Sequence, residues 1–409
     1  MSEMIKIPAG WESLELGNIL KIETGSKNAE DSSVDGIYPF FTRAEETQKI
    51  NTYSYDTEAL FIAGEGNFRV KYYNGKFEAH QRTYVLTSKD DNIDLSYLQK
   101  AIQPKINRLI STSVGSTVMS LRKPQIAEID VLSPKQKQEQ QKIAEVLSEV
   151  DNAISKTEEL FEKNKRLKTA LMQDMLNYGV DENGKIRNPQ THQFKPSEIG
   201  DIPKEWNTEK LGNTKLFTLK TGGTPSTTKK EYWDNGNIRW MSSGEVNNKV
   251  ITDTELKITE LGYKSSSATL IPKFSILMAL AGQGKTRGMV AINHVELSTN
   301  QSVAAIICNN KEISSQFLFY YLDSQYENLR NISYGAGRAG LSLTILREIE
   351  VIFPPLPEQQ KIAQILSSQD EKIEDIINKL NKLKSLKASL MQDLLSGKVR
   401  VTKLMEENS

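Results

Sequence analysis

Apolar residues recur in two stretches of this chain at alternating steps of four and three. In the first they fall at Ile143, Leu147, Val150, Ile154, Phe161, Leu171 and Met175. In the second they fall at Ile362, Leu366, Ile373, Ile376, Leu380, Leu383, Leu390 and Leu394. That spacing is the seam of a coiled coil. Glu139 to Leu176 also aligns with Glu358 to Leu395 at a constant offset of 219, with 19 of 38 positions identical and no gap. Pro134 and Pro354-Pro355-Leu356-Pro357 stand just before the two stretches, where a helix tolerates proline. Gly179 and Gly397 follow them, where a left-handed cap is expected. About 38 residues at 1.5 Å each make a rod of roughly 57 Å. One amphipathic rod cannot bury its stripe alone, but two of equal register can cover each other. We expect an antiparallel pair within the chain, where the partner is already at high effective concentration. A parallel pair, or a zipper between chains, would satisfy the same pattern.

The rest of the chain is also written twice, more loosely. Ile7-Pro8-x-x-Trp11 with Leu16-Gly17-Asn18 returns 195 residues later as Ile202-Pro203-x-x-Trp206 with Leu211-Gly212-Asn213. Such a long period suits a duplicated domain pair rather than a solenoid. Between the anchors the halves barely agree. Short runs of β character occur at Ala59–Ile62, Thr83–Leu86, Ser275–Met278 and Val303–Ile307. Late helices are predicted over Leu95–Ile110 and Ser314–Leu329. The fold class expected is α+β: two mixed globules joined by two long helices in an antiparallel intramolecular coiled coil with pseudo-two-fold symmetry. The expected divisions are a globule over 1–133, a helix over 134–178, a linker over 179–200, a second globule over 201–353, a second helix over 354–400 and a tail over 401–409. Trp11 and Trp206 read as core anchors.

Charge complicates a nucleic-acid reading. The chain carries 52 basic and 52 acidic residues, for a formal net charge of +0, whereas a solitary nucleic-acid binder is usually basic. The distribution is uneven, however. Gly66 to Lys123 holds ten Lys or Arg against four acids, a surplus that favours phosphates locally. No run of eighteen apolar residues predicts a transmembrane helix, and Met1–Pro8 lacks an apolar leader. Cys308 is the only cysteine, which excludes an intrachain disulfide. A cytoplasmic protein is the expectation. His80, His192 and His294 lack a metal-ligand pattern, and no Ser-His-Asp or paired-carboxylate signature stands out.

The chemistry-bearing residues lie in loops. Ala63-Gly64-Glu65-Gly66-Asn67-Phe68-Arg69 and Ala281-Gly282-Gln283-Gly284-Lys285-Thr286-Arg287-Gly288 each follow a predicted strand. Glycine lets backbone approach a phosphate, and adjacent cations strengthen the contact. Gly284-Lys285-Thr286 resembles the end of a P-loop, but Ala279 occupies the position of its first glycine, so a nucleotide-hydrolase reading fails. Gln81-Arg82 and Asn300-Gln301 each stand just before a strand; Arg, Gln and Asn are the bidentate readers of guanine and adenine. Ser113–Thr117 and Tyr334–Arg338 are matched loops. Taken singly, each of these is more often a solvated turn than a contact; the recurrence of the glycine loops at equivalent places is what raises the functional reading.

Over essentially its full length the sequence resembles the specificity subunits of type I restriction-modification systems. The resemblance is carried by Pro354–Ala363 and its first copy from Pro134, by Thr221-Gly222-Gly223-Thr224-Pro225-Ser226, by Tyr232-Trp233 with Ile238-Arg239-Trp240-Met241-Ser242-Ser243-Gly244-Glu245, and by the Ile-Pro-x-x-Trp openings. One departure is Ser133-Pro134-Lys135-Gln136-Lys137, which replaces the proline-rich leader. The resemblance implies two target-recognition domains that each read half of a split site in double-stranded DNA, with the helices as spacer. It implies two adenine-methyltransferase subunits and restriction/motor subunits as partners, and no membrane. It implies no catalysis by this chain: S-adenosylmethionine, ATP and Mg belong to the partners, and no cofactor or metal is expected here. Candidate DNA-contacting residues are Arg43, Gly64, Gly66, Arg69, Lys71, Gln81, Arg82, Ser116, Thr117, Ser242, Ser243, Gln283, Lys285, Thr286, Arg287, Asn300, Gln301 and Arg338. The rival readings are a protein-binding scaffold, which would show no sequence-dependent DNA retention, and an enzyme, which would turn over unaided.

Overall fold

The computed structural model describes residues 7–112, 120–197, 200–282, 285–332 and 340–406. The chain divides into two compact units, Met1–Leu160 with Ile377–Ser409, and Phe161–Ile376.

The first unit holds β1 (Trp11–Glu15), α1 (Leu16–Ile19), β2 (Leu20–Thr24), β3 (Tyr38–Phe41), β4 (Gln48–Ile50), β5 (Tyr55–Ala63), β6 (Lys71–Ala79), β7 (Thr83–Ser88), α2 (Leu95–Thr112), α3 (Lys123–Ala127), β8 (Asp130–Pro134) and the start of α4 (Lys137–Tyr178). Six strands form one sheet in the order β2-β7-β5-β6-β3-β4. Its centre is covered on both faces, which explains the unbroken apolar run in β5. Side chains alternate across a strand. Leu60 and Ile62 therefore join the core with Tyr97, Leu98, Ile102 and Ile106 of α2. Ala59 and Phe61 face the other way, into a cluster with Phe41 and Phe77. There Phe41 stacks on Phe61 with centroids 3.6 Å apart, and Phe77 meets Phe61 edge-on at 4.8 Å.

The second unit contains the end of α4, then β9 (Phe194–Lys195), β10 (Ile202–Pro203), β11 (Asn207–Lys210), β12 (Phe217–Thr221), β13 (Ile238–Met241), β14 (Val250–Ile251), β15 (Leu256–Ile258), α5 (Glu260–Lys264), β16 (Ile276–Ala279), β17 (Val290–Asn293), β18 (Ser298–Thr299), β19 (Val303–Cys308), α6 (Ser315–Ser324), α7 (Tyr326–Ile332), α8 (Leu343–Glu348), β20 (Glu350–Phe353) and the start of α9 (Leu356–Leu395). A five-stranded sheet runs β12-β19-β16-β17-β14, beside a three-stranded one, β15-β13-β18. Alternation again splits an inner strand, β19: Ala304, Ile306 and Cys308 enter one core, Val303 and Ala305 the other. Burial pushes the Cys308 thiol up to about 12. The late helix, expected in one piece over Ser314–Leu329, is broken at Gln325. There the Ser324 hydroxyl donates to the carbonyl of Tyr321 at 2.7 Å, the local bond that disfavours serine inside helices.

Each globule is closed by an antiparallel strand pair that joins its beginning to its end. β1 pairs β8, Trp11 opposite Pro134 and Glu15 opposite Asp130. β11 pairs β20, Asn207 opposite Phe353 and Lys210 opposite Glu350. The chain thus leaves each globule into its long helix close to where it entered.

The two long helices run antiparallel, as expected. In the first unit, Asp151 of α4 meets Lys387 of α9 at 2.7 Å, and Glu158 meets Lys384 at 2.8 Å. In the second, Lys168 meets Asp370 at 2.5 Å and Gln369 Nε2 donates to Asn164 Oδ1 at 3.0 Å. Within the first unit the partner numbers fall from Lys387 to Lys384 as α4 advances from Asp151 to Glu158. Between Ile154 and Leu171 the sheltered residues of α4 are Ile154, Thr157, Phe161, Asn164, Lys168 and Leu171, and everything between them is exposed. Between Ile373 and Leu390 the sheltered residues of α9 are Ile373, Ile376, Leu380, Leu383, Lys387 and Leu390. Val150 is half-buried, and Ile143, Leu147, Ile362 and Leu366 are fully buried where each helix joins a globule core. Thr157, Asn164, Lys168, Gln369 and Lys387 keep the seven-residue repeat but are polar, so the apolar pattern passed over them. Two of them make equivalent ion pairs: Lys168–Asp370 is the counterpart of Lys387–Asp151 under the 219 offset.

The helix starts are tied by a second repeated device. Gln140 accepts the N–H of Asp94 and donates to the carbonyl of Pro134, while Gln359 accepts the N–H of Ser314 and donates to that of Pro354. Glu139 is chelated by Arg400 at 2.6 and 2.7 Å, and Glu358 by Arg187. The segment after α4 is therefore packed: Val180 is buried and donates its N–H to Glu358. After α9, Val401 enters the first unit's core. Gly179 (φ +69) and Gly397 (φ +67) are left-handed. A Cβ on Gly179 would stand 2.6 Å from Trp206 and would also strike Arg187 and Glu358.

Two outcomes follow from this packing. Gly179→Ala combines a strained φ with a blocked site, and chemical denaturation should show a loss of about 1–3 kcal/mol. Burial raises the Asp151 carboxyl, but hydrogen bonds from Lys100 and Lys387 outweigh it and hold it below the usual value. Its contribution is present above the unfolded value near pH ~4 and is lost as pH falls through the lower folded value. An Asp151/Lys387 alanine cycle should give a coupling of about 0.5–1 kcal/mol at pH 7. That coupling should vanish in acid; a coupling that grew there would contradict this account.

Candidate nucleic-acid interface

In the first unit four loop segments are laced together by main-chain hydrogen bonds. His80 N–H donates to Phe41 O at 2.9 Å, Gln81 N–H to Lys27 O at 2.9 Å, Gly64 N–H to Arg82 O at 2.8 Å and Asn67 N–H to Arg43 O at 3.3 Å. Residues 25–28, 41–44, 64–67 and 80–82 therefore form one patch. Lys71 joins it by donating Nζ to Ala44 O at 2.9 Å, and Asn67 Oδ1 accepts the N–H of Arg69. Arg43, Gly64, Gly66, Arg69, Lys71, Gln81 and Arg82 are thus brought together. Gly66 adopts φ +85, which favours glycine. Arg82 is paired with Glu65 at 2.8 Å.

The side chains bear the mark of this cationic crowd. Burial lowers the His80 pKa, and the neighbouring Arg43 and Arg82 lower it further. Burial likewise lowers Lys71, with Arg69 adding to the effect and Glu45 opposing it.

The second unit repeats the arrangement with different residues. Asn300 N–H donates to Met241 O at 3.1 Å and Leu280 N–H to Ser302 O at 2.8 Å. Trp240 Nε1 donates to Gly223 O at 2.9 Å. These bonds gather 222–224, 240–243 and 299–302, and with them Ser242, Ser243, Asn300 and Gln301. Ser242 opens a short 3-10 turn, its N–H held by the buried Glu245 at 2.8 Å. Lys285 and Thr286 lie against α7, whose Tyr326 hydroxyl donates to Lys285 O at 2.6 Å. Arg287 is buried, and the side chain has its own contacts. Ser116, Thr117, Gln283 and Arg338 lie outside the described residues.

Sequence reasoning missed the residues that anchor these patches. Gln81 Nε2 donates to Asn28 Oδ1 at 2.6 Å, and Gln301 Oε1 accepts from Thr224 Oγ1 at 2.7 Å. Both anchors follow a Thr-Gly pair, Thr24-Gly25 and Thr221-Gly222, that ends an edge strand. A Cβ on Gly25 would stand 2.7 Å from that of Ala79, and one on Gly222 would stand 2.5 Å from the carbonyl carbon of Thr299. The repeated Thr-Gly was the available signal. Among the described residues no group of three or more His, Cys, Asp or Glu is placed to hold a metal, and no helix is long and apolar enough to cross a membrane.

Two unlike globules, each feeding a copy of one helix and each bearing a polar loop patch, define a protein of duplicated globule-and-helix class. A family model described as the type I restriction modification DNA specificity domain matches residues 8–167 and again 203–385. The chain belongs to that family, the specificity subunits of type I restriction-modification systems. It is 25% identical to the MjaVIII specificity subunit of Methanocaldococcus jannaschii, covering 98% of this chain and 95% of that one. Its match to the EcoDI specificity subunit of Escherichia coli is 31% identical but spans 49% of this chain and 48% of that one. The crystal structure of the Mycoplasma genitalium type I S subunit has the same fold, with a TM-score of 0.66 at 18% identity over 97% of this chain and 98% of that one.

The first patch yields a direct check. An NMR titration of His80 should give a midpoint below 6.5, rising when Arg43 or Arg82 is replaced by alanine. Because the unfolded chain takes up that proton first, stability should increase with pH through this window. A midpoint at or above 6.5 would refute the proposed cationic surroundings.

Proposed function

We propose that this chain is the sequence-reading, non-catalytic subunit of a DNA methyltransferase and restriction complex. Each globule, residues 1–133 and 201–353, reads one half of an interrupted, asymmetric site in double-stranded DNA. The helices set the separation of the two readings. Two adenine-methyltransferase subunits dock on the two halves, and restriction/motor subunits join them. S-adenosylmethionine, ATP and Mg act on those partners.

One observation carries the reading. The two globules differ in sequence, yet each places a loop patch rich in amides, hydroxyls or cations at the equivalent location, and each leads into a copy of a helix that is identical at 19 of 38 positions. Base edges are read by such amide and guanidinium groups, while phosphate contacts position the reader. The overall charge of +0 is compatible with partners supplying much of the phosphate neutralisation.

The test is an exchange of Trp206–Phe353 for the corresponding domain of another specificity subunit, in cells that also express the methyltransferase subunit. Since β11 and β20 close that globule on itself, the replacement should leave the helices undisturbed. Sequencing of methylated adenines should show one half-site changed and the other retained. A change in both halves would end the modular account.

A further inference from the structure

In each patch a glutamine amide is exposed, held by a bond to a separate loop and left with hydrogen-bonding capacity. Gln81 lies two residues before β7, and Gln301 two residues before β19. Those strands occupy the same place, each paired with the edge strand that precedes the Thr-Gly loop: β7 with β2, β19 with β12. From that loop comes the anchor, Asn28 for Gln81 at 2.6 Å and Thr224 for Gln301 at 2.7 Å. The anchors differ in residue type and the bonds in direction, but the construction is the same. Both glutamines are exposed.

Their neighbours are already engaged. Arg82 is ion-paired with Glu65. Asn300 is half-buried, and its Oδ1 accepts the N–H of Ser302 at 3.1 Å within its own turn. A glutamine amide offers two donors and two acceptor lone pairs. One bond to the anchor leaves Gln81 a second N–H and its whole carbonyl, and leaves Gln301 both N–H donors and a second lone pair. An N–H and a carbonyl side by side match one base edge in the major groove: the carbonyl accepts from adenine N6 and the N–H donates to adenine N7. Holding the amide beforehand reduces the rotamer freedom lost on binding.

We infer that Gln81 and Gln301 are the adenine-reading residues of the first and second globules, with Asn28 and Thr224 as their positioning residues. The inference rests on the DNA-reading function proposed above and adds to it one base identity in each half-site.

The experiment uses the full chain co-expressed with its methyltransferase subunit, with genome-wide mapping of methylated adenines as readout. Gln81→Ala should relax one A·T position in a single half-site, with roughly ten- to hundred-fold loss of discrimination there. Gln301→Ala should do the same in the other half-site only. Gln81→Glu, which keeps acceptors and loses donors, should move the preference at that position toward cytosine. Asn28→Ala should relax the position that Gln81→Ala relaxes, while Asn28→Asp, which keeps the acceptor, should restore it; Thr224→Ser should likewise spare what Thr224→Ala loses. An unchanged motif in the glutamine variants would overturn the inference and leave the DNA-reading function standing. Uniform loss of methylation with an unchanged melting temperature would also overturn it, because that is how a phosphate contact behaves. If the unmutated complex methylates no interrupted site, the proposed function itself fails.

Discussion

A single stripe on a helix of about forty residues is the constraint from which the rest of this molecule follows. Through the middle of α4 and α9 only every third or fourth residue is sheltered. Among the described residues, no second sheltered face holds the middle of either helix to the rest of the protein. Each buried aliphatic side chain stabilises by about 1.5–3 kcal/mol, and that gain exists for one helix only while the other covers it. The ends of the pair are handled differently. There Ile143 and Leu147, and likewise Ile362 and Leu366, leave the seam and enter globule cores, so each helix is continuous with the folded body it serves.

The parts of this arrangement that could be read in the sequence were those written in apolar spacing or in repetition. The two helices, their register and their glycine caps needed nothing more. The polar seam members were invisible for a physical reason. Thr157, Asn164, Lys168, Gln369 and Lys387 satisfy the geometry of the repeat but not its chemistry, and only a partner's position shows that a lysine there meets an aspartate. Strand pairing was equally hidden, because the closing pairs β1–β8 and β11–β20 join residues more than a hundred positions apart. The arginines that chelate Glu139 and Glu358 lie at the last position of the expected second helix, which ends at Leu395 instead, and within the expected linker. Their shared Gly-Lys-x-Arg form, Gly184–Arg187 and Gly397–Arg400, is legible only in hindsight.

The candidate site divides along the same line. Its residue types were legible, since glycine, amide and guanidinium groups in loops are what base and phosphate recognition requires. Which of them gather was not, because each patch is assembled from segments linked only through main-chain hydrogen bonds. The structure also distinguishes the members: Arg287 is buried, Arg82 and Asn300 are occupied locally, and each glutamine is braced from the equivalent loop of its own unit.

The matched lysine–aspartate pairs also restrict which wrong assemblies are possible. Sliding one helix along the other by a whole heptad would keep aliphatic groups facing aliphatic groups, so the apolar stripe alone tolerates the error. The same slip would separate Lys168 from Asp370 and Lys387 from Asp151 at once, so both ion pairs would be lost together. Exchange of helices between chains in a shifted alignment carries the same cost. Oligomers built by such swapping are disfavoured by two charges that add little to the strength of the correct pair.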